Sequence, residues 1–151
     1  MEDLKYCYRY PHPAVTADCV IFGYDDNDIK VLLIQRGNEP YKGHWAFPGG
    51  FMNIDETAEQ CALRELEEET GLKDVKLEQF YTFTDVNRDP RERVITIAYY
   101  GKIQLSNVKG SDDADDAQWF SLDELPELAF DHDLMLSKAL EKIKENLFIT
   151  K

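Results

Sequence analysis

The sequence predicts an α/β protein, and three observations lead to this prediction. Apolar, β-branched runs at residues 14–22 and 29–36 are typical of strands, and the Asp- and Asn-rich residues 25–28 between them are typical of a hairpin turn. Strand-like runs recur at residues 75–86 and 93–105. Helical signals lie between the two strand pairs and again near the end of the chain, so strands and helices alternate.

The chain has the size and composition of a single globular domain. Its 151 residues are 43% hydrophobic and 31% charged, which is enough for one buried core. The sequence has no internal repeat and no linker. We therefore expect one domain over residues 1–151, with residues 1–13 as an N-terminal arm that its prolines keep extended.

The first helix is predicted at residues 58–70. Thr57 and Gln60 have the spacing of a capping box, and Gly71 stands where a left-handed residue ends a helix. Helical spacing places Ala62 and Leu66, together with Leu63, on a face that can be buried.

A second helix is predicted after Asp131, which is a preferred N-cap residue. Leu136, Leu140, Ile143 and Leu147 follow helical spacing along one face. This stripe should pack against the core.

Isolated aromatic residues and histidines have two interpretations each. Trp45 and Phe47 precede the glycine pair, and we expect core positions for them, although either ring could also stack on a base. His44 and His132 lack the spacing of metal ligands. We expect both histidines to be structural hydrogen-bonding residues.

Three carboxylates gather on one face of the first predicted helix. Glu65, Glu68 and Glu69 fall within an arc of about 100°, and like charges at this spacing destabilise a helix. A divalent cation would reverse that effect, because Mg²⁺ takes oxygen ligands and completes its coordination with substrate phosphates. An acidic helix face is often only solvated, but Gly49 and Gly50 allow close backbone approach beside this one.

The residues around this helix resemble the Nudix box of the Nudix hydrolases. The pattern is Gly, five residues, Glu, seven residues, then Arg-Glu-aliphatic-x-Glu-Glu-x-Gly-aliphatic, and every defined position is filled. The matching residues are Gly50, Glu56, Arg64, Glu65, Glu68, Glu69 and Gly71. So many fixed positions make a chance match far less probable than for a short glycine motif.

The resemblance implies a metal site and its support. Glu65, Glu68 and Glu69 would hold one or more Mg²⁺ or Mn²⁺ ions, assisted by a backbone carbonyl at Gly50 or its neighbour Gly49. Arg64 and Glu56 would orient these ligands through their opposite charges. Cys61, on the same helix, is expected to pack beneath the site.

The resemblance also implies a fold and a reaction. The family fold is an α/β/α sandwich with a mixed β-sheet between helices, and family members hydrolyse a nucleoside diphosphate linked to another moiety. Metal ions neutralise the diphosphate and activate a water, and a carboxylate takes the proton. Glu65, Glu68 and an acid of residues 112–116 remain alternatives for this base.

Three further stretches resemble the ADP-ribose pyrophosphatase-like branch of the family. They are YPHPAVTADCVIF, FTDVNRDPRERVITIAYY and LAFDH, at residues 10–22, 83–100 and 128–132. The implied reaction is hydrolysis of ADP-ribose to AMP and ribose 5-phosphate.

In that case the substrate would contact two groups of residues. Arg88, Arg91 and Arg93 would approach the phosphates or the terminal ribose, unless they serve only as surface charges. The aromatic residues that would stack on adenine are Phe51, Tyr81 or Phe83.

Charge and cysteine content limit the partners and the compartment. The net charge of −13 argues against nucleic acid or an anionic membrane as a partner, whereas a bound cation allows a small anionic substrate. Cys7, Cys19 and Cys61 are odd in number and lack CxxC spacing, which favours reduced thiols and a cytoplasmic location. The opening residues lack the apolar segment of a signal peptide.

Two other functions remain open. The first is a pyrophosphohydrolase of oxidised or noncanonical nucleoside triphosphates, because the box leaves substrate choice to the loops. The second is a non-catalytic ADP-ribose sensor joined to a DNA-binding domain. We expect the sensor to be less favoured, since the box is intact and the last predicted helix ends near Lys151. A homodimer is possible but not required by the sequence.

Overall fold

The computed structural model describes residues 6–26, 28–106 and 114–149, apart from the side chains of residues 114–116 and 146–149. Within these ranges the elements in chain order are β1 (Ala14–Tyr24), β2 (Ile29–Arg36), β3 (Trp45–Ala46), β4 (Gly49–Phe51), α1 (Ala58–Thr70), β5 (Glu78–Phe83), β6 (Val94–Gln104), β7 (Ala114–Ser121) and α2 (His132–Ile149). The predicted α/β class is confirmed.

The strands form a mixed sheet in the order β3-β2-β1-β6-β5, with β4 paired to β1 and β7 paired to β2. β1 and β6 are parallel along their whole length, whereas β1 with β2 and β5 with β6 are antiparallel. Both predicted strand pairs are therefore present. β5 is shorter than the predicted 75–86, because Val75 packs in the core before the strand begins and the chain leaves the sheet after Phe83.

The sheet is buried on both faces, as alternating side chains of β1 illustrate. Val20 and Phe22 belong to the core cluster that includes Met135 of α2. Cys19 and Ile21 belong to the cluster on the other face, with Leu66 of α1. Because successive strand residues point to opposite faces, the two helices cover the two sides of one sheet, and the predicted α/β/α sandwich is confirmed.

Helix α1 has the bounds and both caps that the sequence predicts. Thr57 accepts a hydrogen bond from the backbone of Gln60, and the Gln60 side chain accepts one from the Thr57 backbone. Gly71 ends the helix in the left-handed conformation, with φ of 81°. The caps fix where the helix begins and ends, and burial of Ala62 and Leu66 sets its rotation and hence the direction of its carboxylates.

Helix α2 begins where predicted, but the expected role of Asp131 is wrong in part. Asp131 directly precedes the helix, yet its carboxylate accepts hydrogen bonds from Arg88 Nε at 2.9 Å and Nη2 at 2.7 Å. Its side chain therefore binds Arg88 in the loop between β5 and β6. Leu136 and Ile143 of the predicted stripe are buried in the core.

Trp45 and Phe47 lie at the core, which confirms the first interpretation of these rings. Phe47 is 2% exposed, and Trp45 packs against the same cluster with its ring 4.8 Å from that of Phe120. No helix among the described residues is long and apolar enough to span a membrane.

Candidate active site

A cleft of about 500 Å³ opens where β1 changes its pairing partner. Residues 22–24 of β1 pair with β2, and residues 16–18 pair with β4. β2 meanwhile continues to β3 through Ile34 and Gln35. β1 and β2 therefore separate beyond their shared pairing, and the space between them is lined by segments that are distant in sequence.

The cleft is lined by acidic groups and by a basic, aromatic cluster. The acids are Glu69 of α1 and Asp18 of β1. Arg36 and Arg91 lie against the ring of Phe130, and these three residues form the basic wall of the cleft. The remaining lining residues are Thr16, Ile34, Asn38, Ala46, Phe47, Gly49, Gly50, Phe51, Arg88, Thr96 and His132.

The glycines of β4 allow the backbone to lie directly against the carboxylates. A Cβ atom on Gly49 would lie 1.9 Å from Asp18 Oδ1, and one on Gly50 would lie 2.5 Å from the Glu65 carboxyl carbon. The Gly49 amide donates to Glu69 Oε1 at 2.8 Å. No side chain fits at these two positions without moving a carboxylate.

Burial of these acids raises their pKa values. Removal from water raises the pKa of Glu69 to about 8, with a further increase from the Glu65 charge, against the lowering effect of the Gly49 hydrogen bond. Burial likewise raises the pKa of Asp18 to about 7, although the Arg88 charge opposes it. The pKa of Glu65 is also raised by burial, while Arg64 opposes that shift. A cation among these groups would favour their charged forms.

Arg64 contacts three carboxylates and a backbone carbonyl beside the cleft. Its guanidinium contacts Glu56 at 2.6 Å, Glu65 at 2.7 Å and Glu68 at 3.4 Å, and it donates to the Phe51 carbonyl at 3.2 Å. The Arg64 hydrogen bonds lower the pKa of Glu56 to about 2, so Glu56 stays charged. Arg64 therefore fixes α1 against the end of β4.

The donor set fits a hard divalent cation. Glu65, Glu68 and Glu69 offer carboxylate oxygens on one helix, and the Gly50 carbonyl faces that helix, where it accepts a weak hydrogen bond from the Cys61 thiol at 3.5 Å. Among the described residues, no three acidic, histidine or cysteine side chains already converge at metal distance. Because Arg64 contacts Glu65 and Glu68, a bound cation would compete with it for their oxygens.

His132 is a structural hydrogen-bonding residue. Its Nδ1 accepts from the Phe47 amide at 3.1 Å, so the proton lies on Nε2, which is 3.6 Å from Asp18 Oδ2. Burial lowers the pKa of His132 to about 4 and keeps the ring neutral. His44 differs, because its buried Nδ1 has no hydrogen-bond partner in the described part of the chain.

The three loop arginines have different surroundings. Arg88 has a side chain that is only 4% exposed, since it binds Asp131 and donates to Thr96 Oγ1 at 2.7 Å. Arg91 pairs with Asp89 and faces the cleft. Arg93 donates to the backbone carbonyl of residue 85 and is not among the cleft-lining residues. Arg91 therefore faces the open space of the cleft, whereas Arg88 is buried at its base.

The three candidate stacking residues are separated as well. Phe51 is 40% exposed and lines the cleft. Tyr81 is exposed on β5, outside the cleft, with Lys138 Nζ 4.4 Å from its ring centroid. Phe83 is 3% exposed in the core, so its ring is not available to a base and the expectation for it is not met. The acids of residues 112–116 lie outside the described side chains.

Sequence reasoning missed three residues of the cleft: Asp18, Arg36 and Phe130. Asp18 sits in a strand whose apolar neighbours predict only a core position. Arg36 ends β2, where a charged residue is usually solvated. Phe130 belongs to the LAFDH stretch, which supports the branch resemblance but gives no role for the ring.

The fold and site together define a class of protein. An α/β/α sandwich sets a helix of partly buried carboxylates against guanidiniums and aromatic rings, an arrangement suited to phosphate chemistry with a hard cation. A family model described as the NUDIX domain matches residues 12–140. The chain belongs to the Nudix family, as its box predicts.

Two relatives are similar in sequence to most of this chain. The chain is 42% identical over 135 residues to the ADP-ribose pyrophosphatase of Methanocaldococcus jannaschii, covering 89% of this chain and 78% of that protein. It is 35% identical over 139 residues to the ADPR responsive transcriptional repressor NtrR of Acinetobacter baylyi, covering 89% of this chain and 56% of the repressor. The chain thus spans little more than half of the repressor's length.

Solved structures have the same fold. The NUDIX domain of Shewanella oneidensis NrtR complexed with ADP ribose has a TM-score of 0.85 at 33% identity, covering 92% of this chain and 94% of that one. A MutT/nudix family protein from Enterococcus faecalis also has a TM-score of 0.85, at 32% identity, covering 93% of this chain and 66% of that one.

Proposed function

We propose that this Nudix hydrolase cleaves ADP-ribose to AMP and ribose 5-phosphate, with Mg²⁺ or Mn²⁺ as its cofactor. One observation carries the proposal: a single cleft is lined both by Glu69 and Gly50 of the box and by guanidiniums and aromatic rings. A diphosphate flanked by a base and a sugar needs carboxylates that hold a cation, and it also needs guanidiniums and rings that bind the rest of the molecule. The Methanocaldococcus jannaschii pyrophosphatase and the ADP-ribose complex described above support this substrate.

On this proposal the box holds the cation. Glu65, Glu68 and Glu69 supply carboxylates, and Gly50 supplies a backbone carbonyl. The bound cation would neutralise diphosphate charge and lower the pKa of a coordinated water. Arg64 positions Glu65 and Glu68 and balances part of their negative charge.

The chain's own groups then move the proton. Glu65 and Glu68 are the described acids that we assign as alternatives for the base, since both are box carboxylates that Arg64 positions. His132 takes no part in proton transfer, because its Nδ1 is occupied by a backbone amide and its pKa is low.

The basic wall binds the rest of the substrate. We assign Arg91 and Arg36 to the phosphates and the exposed ring of Phe51 to adenine. Arg88 supports this wall from below through its pair with Asp131. Arg93 and Tyr81 lie outside the cleft and have no assigned contact.

A second candidate is a non-catalytic ADP-ribose sensor, which the similarity to NtrR favours. A triphosphate pyrophosphohydrolase has weaker support: the chain is 36% identical to the 8-oxo-dGTP diphosphatase of Proteus vulgaris, but over only 57% of its length. The intact carboxylate set favours catalysis over sensing.

The proposal is tested by product analysis of the purified chain with Mg²⁺ or Mn²⁺. ADP-ribose should give AMP and ribose 5-phosphate, and Glu68→Gln should lose this activity. Glu67→Gln is a matched control, since Glu67 is an exposed neighbour that pairs with Lys73 away from the cleft. Tight binding of ADP-ribose without turnover would favour the sensor instead.

We also propose a cytoplasmic location. Cys7, Cys19 and Cys61 are free thiols, which agrees with a reducing compartment. Localisation of the tagged full-length protein by cell fractionation tests this.

A further inference from the structure

Two guanidiniums lie against one phenylalanine ring at the basic wall. Arg36 Cζ is 4.9 Å from the centroid of Phe130, and Arg91 Cζ is 5.4 Å from the same centroid. Both distances are within the range of cation–π attraction. Arg91 also lies 5.0 Å from the centroid of Phe51, so cations and rings alternate along the wall.

Holding two cations together is unfavourable unless something compensates. The repulsion is visible at Arg36, whose pKa is lowered by burial and then by the charge of Arg91. Arg91 is neutralised by Asp89 at 2.7 Å. Arg36 forms no ion pair with the described residues, and its Nε donates to the Pro40 carbonyl at 2.8 Å. A positive charge is thus kept unpaired in a protein of net charge −13.

The ring is held in place by backbone that bulky residues rarely adopt. Phe130 has φ of 51° and Tyr41 has φ of 63°. Their rings meet edge to face at 4.8 Å, and His132 lies 5.7 Å from Phe130 on α2. Left-handed backbone at large side chains is uncommon and concentrates at functional sites. Two loops therefore adopt strained backbone where their rings meet beside the cleft.

We propose that Phe130 is a positioning residue whose ring holds Arg36 and Arg91 side by side as a paired-guanidinium receptor for the diphosphate of the substrate. The inference rests on the proposed function only in taking the ligand to be a diphosphate ester. The two adjacent guanidiniums still have N–H groups that can donate to phosphate oxygens, and the charge of Arg36, which no ion pair among the described residues balances, attracts the diphosphate. The ring compensates their repulsion while the site is empty of substrate.

The first test is the split between KM and kcat in Phe130→Leu. Loss of both cation–π contacts should raise KM for ADP-ribose about tenfold, equivalent to about 1.4 kcal/mol, with kcat within about twofold of the parent. A melting curve of each variant establishes that it is folded. An unchanged KM in the folded variant would overturn the proposal.

A second test separates cation–π attraction from packing. Replacing Phe130 by mono-, di- and trifluorophenylalanine preserves the shape of the ring while weakening its attraction for cations. KM should rise stepwise with fluorination. Phe120 is the matched control, because it is a partly buried phenylalanine outside the cleft whose ring partner is Trp45. An unchanged KM across the fluorinated variants at Phe130 would mean that the ring only fills space.

A third test asks whether Phe130 acts through the arginines. In an Arg36→Met, Arg91→Met background, Phe130→Leu should cause no further rise in KM, since no cation remains to be positioned. A rise of the same size in both backgrounds would show direct contact between the ring and the substrate, and would overturn the proposal.

Binding of inorganic diphosphate without metal keeps this inference separate from the proposed function. Titration calorimetry should give about tenfold weaker binding for Phe130→Leu than for the parent. If the parent fails to hydrolyse ADP-ribose, the proposed function fails while this comparison still decides the role of Phe130. Equal diphosphate affinity in both proteins would refute the receptor.

Discussion

Binding of Mg²⁺ to the metal-free protein should release close to one proton per ion at pH 7, and Glu69 is the main source. Burial raises the pKa of Glu69 to about 8. At pH 7, one unit below this pKa, about nine-tenths of the Glu69 carboxyl groups are protonated. Metal ligands must be deprotonated. The Mg²⁺ association constant should therefore rise about ninefold from pH 6 to 7, about fivefold from pH 7 to 8, and level off above pH 9.

The assay is titration calorimetry in two buffers of different ionisation enthalpy, which counts the released protons. Asp18, with a pKa raised to about 7, titrates in the same range and needs its own control. The pH dependence should persist in Asp18→Asn and disappear in Glu69→Gln. Metal binding without proton release at pH 7 would refute the reasoning.

The same shift has a consequence for stability. The usual pKa of Glu69 is 4.5 and the folded protein raises it to about 8, so the folded state binds more protons than the unfolded state between these values. The contribution of Glu69 to the stability of the metal-free protein therefore falls as pH rises through this window. Added Mg²⁺ should reverse the fall, because it pairs with the charged form.

Three substitutions test the structure around the site. Gly50→Ala places a Cβ atom 2.5 Å from the Glu65 carboxyl carbon and should lower kcat/KM about 100-fold by moving that ligand, measured with ADP-ribose. Asp131→Ala leaves the buried Arg88 unpaired and should reduce the free energy of unfolding by about 3–5 kcal/mol in urea. Thr57→Ala removes the N-cap of α1 and should cost about 1 kcal/mol by the same urea measurement.

Each of these has an outcome that would contradict it. Full activity in Gly50→Ala would mean that Glu65 does not need its observed position. The double variant Arg88→Met, Asp131→Leu should recover much of the stability that Asp131→Ala loses, since no buried charge is left; no recovery would contradict the charge argument. An unchanged urea midpoint in Thr57→Ala would mean that the observed cap adds no stability.

The parts of the fold that the sequence predicts well are those set by neighbouring residues. Helix α1 is correct to its end residues, because a capping box and a left-handed glycine act within one turn. The β1–β2 hairpin follows from its turn for the same reason. The parallel pairing of β1 with β6 joins segments about 80 residues apart, and local sequence carries no signal of that register.

The site divides along the same line. Glu65 and Glu69 are neighbours on one helix, so spacing alone brings them together. Arg88 forms an ion pair with Asp131, which lies 43 positions further along the chain. This pairing exists only in the folded protein. Arg36 and Phe130 likewise meet from β2 and the loop before α2. The basic wall therefore required the structure.

The most direct test of the account compares kcat/KM for ADP-ribose with kcat/KM for 8-oxo-dGTP and unmodified nucleoside triphosphates, in one preparation at one Mg²⁺ concentration. The account predicts a clear preference for ADP-ribose, with AMP and ribose 5-phosphate as the products. A preference for a triphosphate, with release of inorganic pyrophosphate, would keep the Nudix chemistry and contradict the assigned substrate.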